Sequence, residues 1–297
     1  MPKLICQMVS EFLLGDNPFL GVSHLSQEKA REEKKGSLVE NNARVVEAAA
    51  EGGATGFTFT AHPTNLELLT YLRTHNEALV NSMNYYILVP YAQSYVAKAN
   101  IEGTPGLIWS TLRTAPIVDL LATALSLKPE RAAQILVRKE IAPYLEILPR
   151  EKVKAVLLHE VLTEVVIAFG LTKVIEQLSR WAEKLGVGFG LETRNFSHLC
   201  ECMRKWDLHP GYVMTPANPL GYQMAANKQA VEAGMMELGA DTNVIAINIL
   251  ASGAVSLDHA VEYLRKYKDK IYGVTSASTK PTRIRENFLK LKMCLVT

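Results

Sequence analysis

The stretch Glu47-Ala-Ala-Ala-Glu-Gly-Gly-Ala-Thr-Gly-Phe-Thr-Phe-Thr-Ala61 joins the end of a helix to a short β run through two glycines. Upstream of it, over 37–51, apolar residues recur every three or four positions, as on one buried helix face. Gly52 and Gly53 end that helix, because a left-handed residue lets the chain turn into the next strand. The run Gly56-Phe-Thr-Phe-Thr60 then reads as a strand.

This unit repeats outward in both directions. Short, largely apolar runs at 12–14, 56–60, 85–89, 153–158, 187–191, 212–215, 244–248 and 271–275 have the character of parallel strands covered on both faces. Between them, helical periodicity predicts helices over 37–51, 64–80, 172–185, 197–206, 222–238, 257–267 and 282–292. Gly186, Gly211 and Gly239 again precede strands. Eight such units in 297 residues match a closed (β/α)8 TIM barrel better than an open doubly wound sheet. One α/β domain over 1–297 is expected.

The third unit is enlarged. Residues 90–152 carry two predicted helices, 107–125 and 129–148, where a crossover needs one. The surplus is either a lid built from the loop above the third strand or a helical pair packed outside the barrel.

Hydrophobic residues make up 48% and charged residues 21% of the chain, with a formal net charge of +2. That composition excludes a disordered chain and a disulfide scaffold. Near-neutrality removes the basic footprint of a nucleic-acid binder. No apolar run is long enough to span a bilayer, and the start of the chain lacks the pattern of a secretion signal. Cys6, Cys200, Cys202 and Cys294 have no zinc-type spacing and read as reduced thiols. A cytoplasmic protein acting on a small molecule is expected, without a nucleic-acid or membrane partner. The oligomeric state is not legible.

Toward the C-terminus stands Gly273-Val-Thr-Ser-Ala-Ser-Thr-Lys-Pro-Thr-Arg-Ile-Arg-Glu-Asn-Phe288. It resembles the eighth strand and following helix of the aldo-keto reductases. Further likenesses follow in the same order: Glu47 to Ala61, Leu157-Leu-His159, Arg194-Asn195-Phe196-Ser197 and Asn218-Pro219-Leu220. The resemblance implies a barrel that binds NADP, with Ser278, Arg283, Glu286 and Asn287 at its adenosine phosphate and adenine. Ser276 and Lys280 lie beside them. A serine-rich turn before a helix N-terminus offers N–H donors to phosphate, and arginine adds charge.

The reacting part of the resemblance is thinner. In that family a tyrosine, tuned by lysine and aspartate, supplies a proton while hydride moves to a carbonyl. Here Phe57-Thr58-Phe59-Thr60-Ala61-His62-Pro63 has phenylalanine in place of the aspartate, and no tyrosine follows. The third strand ends Leu88-Val89-Pro90-Tyr91 instead of in lysine. Only His159 has a counterpart.

A barrel gathers polar strand-end residues over its mouth. On that ground His159, Glu192, Glu160 and His62 are the candidate acids and bases. Asp16, Asn17, Thr60, Tyr91, Arg194, Asn195, Asn218 and Asn248 are the candidate substrate contacts. Glu192 ends an apolar strand, where desolvation raises a carboxyl pKa and Arg194 opposes the rise. His62 either contacts substrate or caps the helix that follows it. No compact ligand spacing suggests a metal.

Three readings follow. The first is acid–base chemistry on a polar carbonyl or sugar-like, phosphorylated or unphosphorylated substrate, of lyase, isomerase or hydrolase type. The second is an NADP-dependent reductase with a rearranged proton donor. The third is an inactive nucleotide-binding barrel.

Overall fold

The computed structural model describes residues 9–20, 39–90 and 128–296. Eight parallel strands close into a barrel in sequence order: β1 (Glu11–Gly15), β2 (Gly56–Thr60), β3 (Asn84–Val89), β4 (Val153–Leu158), β5 (Gly188–Glu192), β6 (Tyr212–Pro216), β7 (Asn243–Ile247) and β8 (Gly273–Ser276). Closure is made by β8 on β1, with Leu13 opposite Thr275 and Leu14 opposite Ser276. Every strand lies within two residues of its sequence-predicted limits, because each is a short apolar run between loop residues.

Ten helices surround the barrel among the described residues: α1 (Val39–Glu51), α2 (Pro63–His75), α3 (Glu77–Ser82), α4 (Pro129–Ile147), α5 (Glu160–Ala168), α6 (Thr172–Leu185), α7 (Phe196–Trp206), α8 (Lys228–Glu237), α9 (Leu257–Arg265) and α10 (Pro281–Leu295). The single helix expected over 64–80 is two, α2 and α3. Asn76 divides them: its side chain accepts from the Leu79 N–H and caps α3, while its own N–H ends α2 on the Leu72 carbonyl. The helix expected from 222 starts only at Lys228, where Asn227 caps it through the Ala230 N–H.

Of the enlarged third crossover, α4 packs between α2 and α6 in the outer ring, as the barrel's own crossover helix. Its Tyr144 hydroxyl donates to the His62 carbonyl at 2.8 Å. The helix expected over 107–125, together with Tyr91 and Cys6, lies outside the described residues. An unexpected helix, α5, stands directly on the end of β4.

Two apolar layers hold the barrel. Between strands and helices lies the larger, including Phe12, Phe57, Phe59, Leu68, Leu69, Phe196, Phe288 and Leu291. Inside the ring are Leu13, Tyr86, Leu88, Ala155, Leu157, Met214 and Ile245. Phe59 belongs to the outer layer, with its ring 5.2 Å from that of Tyr144. The residues of β2 that face the cavity are instead Thr58 and Thr60.

The lower end of the ring is plugged. Tyr86, Tyr212 and Tyr272 meet edge to face, and the Tyr86 and Tyr272 hydroxyls stand 3.3 Å apart. Beside them the buried Glu11 carboxylate accepts from the Thr55 hydroxyl and, at 2.7 Å, from Asn84 Nδ2. One side of the seam is tight: a Cβ on Gly52 of the α1 end would lie 2.5 Å from the Arg285 carbonyl of α10. No helix among the described residues is long and apolar enough to cross a membrane.

Candidate functional site

At the C-terminal ends of the strands opens a cavity of about 460 Å³. The parallel barrel aims strand-end side chains there, and β1, β4 and β5 deliver its titratable groups. Asp16 follows β1, His159 follows β4, Glu160 opens α5, Glu192 closes β5 and Arg194 stands on the loop after it; all five line the cavity.

Glu192 is almost wholly buried, and burial pushes its carboxyl up to about 8. The Glu160 carboxylate raises it further, while the Glu160 N–H, which donates to Oε2 at 3.1 Å, and Arg194 pull it down. At neutral pH Glu192 is therefore mainly a carboxylic acid. Since Oε2 accepts from the amide, the acid proton is placed on Oε1.

His159 caps α5. Its Nδ1 accepts from the Val161 N–H at 3.3 Å, so the neutral ring carries its proton on Nε2, 4.0 Å from Glu192 Oε2. Burial depresses the imidazole pKa, against the attraction of Glu160. An uncharged ring thus faces an uncharged acid, and the contact is not an ion pair at pH 7. The ion pair lies one step outward, where Arg194 Nε meets Glu160 Oε2 at 2.5 Å on the rim.

Asp16, expected as a substrate contact in the turn Asp16-Asn17-Pro18, is buried, and its carboxyl is raised to about 6 by desolvation. Its Oδ2 accepts from the Thr60 N–H at 2.8 Å and from Asn65 Nδ2 at 2.7 Å. These bonds tie β1 to the start of α2.

On the far wall, Ser276, Ser278, Lys280, Arg283 and Asn287 line the same cavity. Buried Asn287 donates through Nδ2 to Ser276 Oγ at 3.1 Å, and Ser278 Oγ accepts from the Lys280 N–H. No side chain caps the N-terminus of α10. Among the described residues neither the Lys280 ammonium nor the Arg283 guanidinium is paired with a carboxylate. Glu286 is exposed and does not face the cavity.

Asn17, Thr60 and Asn248 also line the cavity. Asn248 adopts φ 53°, and its side chain donates to Gln223 Oε1 at 2.7 Å while accepting from the Ser252 N–H.

Three further candidates also lie off the cavity. His62 caps α2 by accepting from the Thr64 N–H at 3.1 Å and does not line the cavity. The proline after it opens the helix. Asn195 precedes α7, and its own N–H is held by Thr193 Oγ1 at 2.9 Å. Fully buried Asn218 brackets the following turn, accepting from the Tyr222 N–H and donating to the Tyr222 carbonyl, both at 2.9 Å. Gln223, Thr58, Thr275 and Ser252 were not foreseen as lining residues. Strand alternation could have supplied Thr58 and Thr275, which share the faces of Thr60 and Leu13's neighbours. Gln223 stands on an irregular loop with φ 58°, which no periodicity marks. Among the described residues no group of three or more His, Cys, Asp or Glu side chains is arranged to hold a metal ion.

No protein-family model and no curated protein matches the chain. Solved structures do. A Pseudomonas aeruginosa protein assigned to the aldo-keto reductases superposes with a TM-score of 0.60 at 12% identity, over 97% of this chain and 91% of that one. The fold is that of the aldo-keto reductases. A protein assigned as a 2,5-diketo-D-gluconic acid reductase B gives a TM-score of 0.58 at 13% identity, covering 98% and 88%. The holo form of a Bacillus halodurans aldo-keto reductase gives 0.53 at 11%, covering 94% and 86%.

Proposed function

We propose that this chain is an NADP-dependent carbonyl oxidoreductase whose proton donor is Glu192. The observation that carries the reading is a buried carboxyl, raised to about 8, facing the same cavity as Lys280 and Arg283, which have no carboxylate partner among the described residues. The likeness to aldo-keto reductases supports it over lyase, isomerase or hydrolase chemistry, and one structure of this fold, at TM-score 0.50 and 12% identity, is a complex with NADPH.

The donor set fits a phosphorylated nucleotide. Two cations and a helix N-terminus that have neither carboxylate partner nor side-chain cap among the described residues suit an anion, as does the serine turn. Ser276, Ser278, Lys280 and Arg283 would hold its phosphate. Bound NADPH supplies hydride. Glu192 donates the Oε1 proton to the substrate oxygen, and the resulting carboxylate is stabilised by the Glu160 N–H and the Arg194 charge. His159 Nε2–H orients Glu192 or the substrate oxygen beside it. A carboxylic acid whose pKa lies near the working pH takes the role that the missing tyrosine and lysine fill in the family the sequence resembles.

The test is thermal shift with NADPH followed by cofactor oxidation over an aldehyde panel. Saturation to 100 times Kd stabilises by about 2.7 kcal/mol, and Arg283→Ala reduces that gain. Absence of both a shift and oxidation overturns the reading; a shift without oxidation leaves the inactive nucleotide-binding barrel.

A further inference from the structure

We infer that Asp16 is an ammonium-binding subsite, which makes the substrate an amino-substituted carbonyl compound with its ammonium group on Asp16 and its carbonyl oxygen at Glu192. The inference rests on the reductase reading and names a substrate class for it. Asp16 lines the cavity and is only 6% exposed. With its carboxyl raised to about 6, it is mainly a carboxylate at pH 7. The Thr60 N–H and Asn65 Nδ2 hold its Oδ2, and both donors are neutral. No lysine, arginine or histidine among the described residues forms an ion pair with it. A buried charge without a counter-charge is costly, and buried charges are normally paired.

The surroundings fix this carboxylate without neutralising it. Asn65 is fully buried, and its Nδ2 donates both to Asp16 Oδ2 and, at 2.9 Å, to the Thr60 carbonyl. Its own Oδ1 is left buried with no hydrogen-bond partner among the described residues. A fold gains no stability from an orphaned amide oxygen beside an unpaired anion; a site that needs the anion held in one place does gain. Of the cations that line the cavity, Arg194 is engaged by Glu160, and Lys280 and Arg283 are those that would take the nucleotide phosphate. Strands β1 and β5 stand opposite each other in the closed ring, so Asp16 and Glu192 enter the cavity from two sides. The Asp16 charge is near enough to raise the Glu192 carboxyl. A short molecule with an ammonium group at one end and a carbonyl at the other spans them. The ammonium brings three donors and the missing positive charge.

Calorimetric titration at pH 7 compares ethanolamine with ethylene glycol, its uncharged isostere. Wild type binds ethanolamine about 10–100-fold more tightly, the worth of a hydrogen bond to a charged group, and Asp16→Asn abolishes the preference. Asparagine keeps an amide oxygen for both donors. Its Tm at pH 7 does not fall, because a carboxyl whose folded pKa lies above the unfolded 3.8 opposes folding once it is ionised. Equal affinity of wild type for the two compounds overturns the subsite without recourse to the variant. A preference that survives in Asp16→Asn places the ammonium on another carboxylate and overturns it too. In turnover, the ratio of kcat/KM for aminoacetone to that for butanone falls by about 10–100-fold in Asp16→Asn. If NADPH is oxidised with neither ketone while ethanolamine binding depends on Asp16, the reductase reading fails and the subsite stands; if both ketones are reduced and wild type shows no preference for ethanolamine, the subsite fails and the reductase reading stands.

Discussion

Glu192 brings two pH dependences that run in the same direction. As the acid it must be protonated, so kcat is retained below about pH 8 and falls as pH rises through that value. Glu192→Gln removes the descending limb and lowers kcat by about 10²–10⁴-fold at neutral pH. The second dependence concerns stability. The folded pKa is above the unfolded value of 4.5, so the folded chain binds more protons between them. The contribution is fully present below pH 4.5 and is lost as pH climbs to about 8. Glu192→Gln therefore raises Tm more at pH 8.5 than at pH 5, as differential scanning calorimetry would show; an equal change at both pH values contradicts the buried acid. The sequence indicated that Glu192 should be desolvated, but not whether burial or Arg194 would win. Burial wins because the Arg194 guanidinium is committed to Glu160. Asp16 was less legible: Asp-Asn-Pro is an ordinary turn sequence, and only the fold buries its carboxyl against Asn65.

At the scale of elements, α5 gives His159 two tasks. It caps the helix and faces the acid, so His159→Ala mixes a lost cap, worth about 1 kcal/mol, with a lost site group. Asparagine retains a cap acceptor. His159→Asn should hold Tm near wild type while activity falls, and a Tm drop equal to that of His159→Ala would show that the ring acts mainly on the fold. The Glu160–Arg194 pair links α5 to the loop before α7, and the Arg194 carbonyl accepts from the Ala225 N–H at 3.0 Å. Arg194→Gln leaves the Glu160 carboxylate unopposed beside Glu192 and moves the alkaline limb of kcat above pH 8. Glu160→Gln moves it below. Identical limbs in both variants would detach the rim from the acid.

Helix α5 was hidden in the sequence for a physical reason. It follows its strand with no turn residue, and Val161, Val165 and Phe169 are exposed, so its apolar residues do not form one buried stripe. Asn195 and Asn218 mislead in the opposite way. Position at a strand end is shared by site residues and loop brackets, and an amide can satisfy a turn as readily as a ligand. The strands were legible because burial on both faces demands apolar residues at every step.

For the whole molecule, the first and last β/α units must meet to close the ring. There the Gly52 backbone lies against Arg285, closer than any side chain permits. Gly52→Ala forces α1 and α10 apart at a cost of about 1–3 kcal/mol, and Tm drops by roughly 2–4 °C for each of these. A Tm equal to wild type would mean that the contact yields freely. Glycines such as Gly52 were read from the sequence as helix ends; that one of them is also a close helix contact emerges only from the closed ring.

The tyrosine plug at the base turns the fold into its own optical reporter. Burial raises the Tyr86, Tyr212 and Tyr272 phenols above their ordinary range. In alkaline solution these phenols stay colourless in the near ultraviolet while the ring is closed. They ionise together when it opens, so the tyrosinate band grows in a step that marks rupture of the barrel from the end opposite its chemistry.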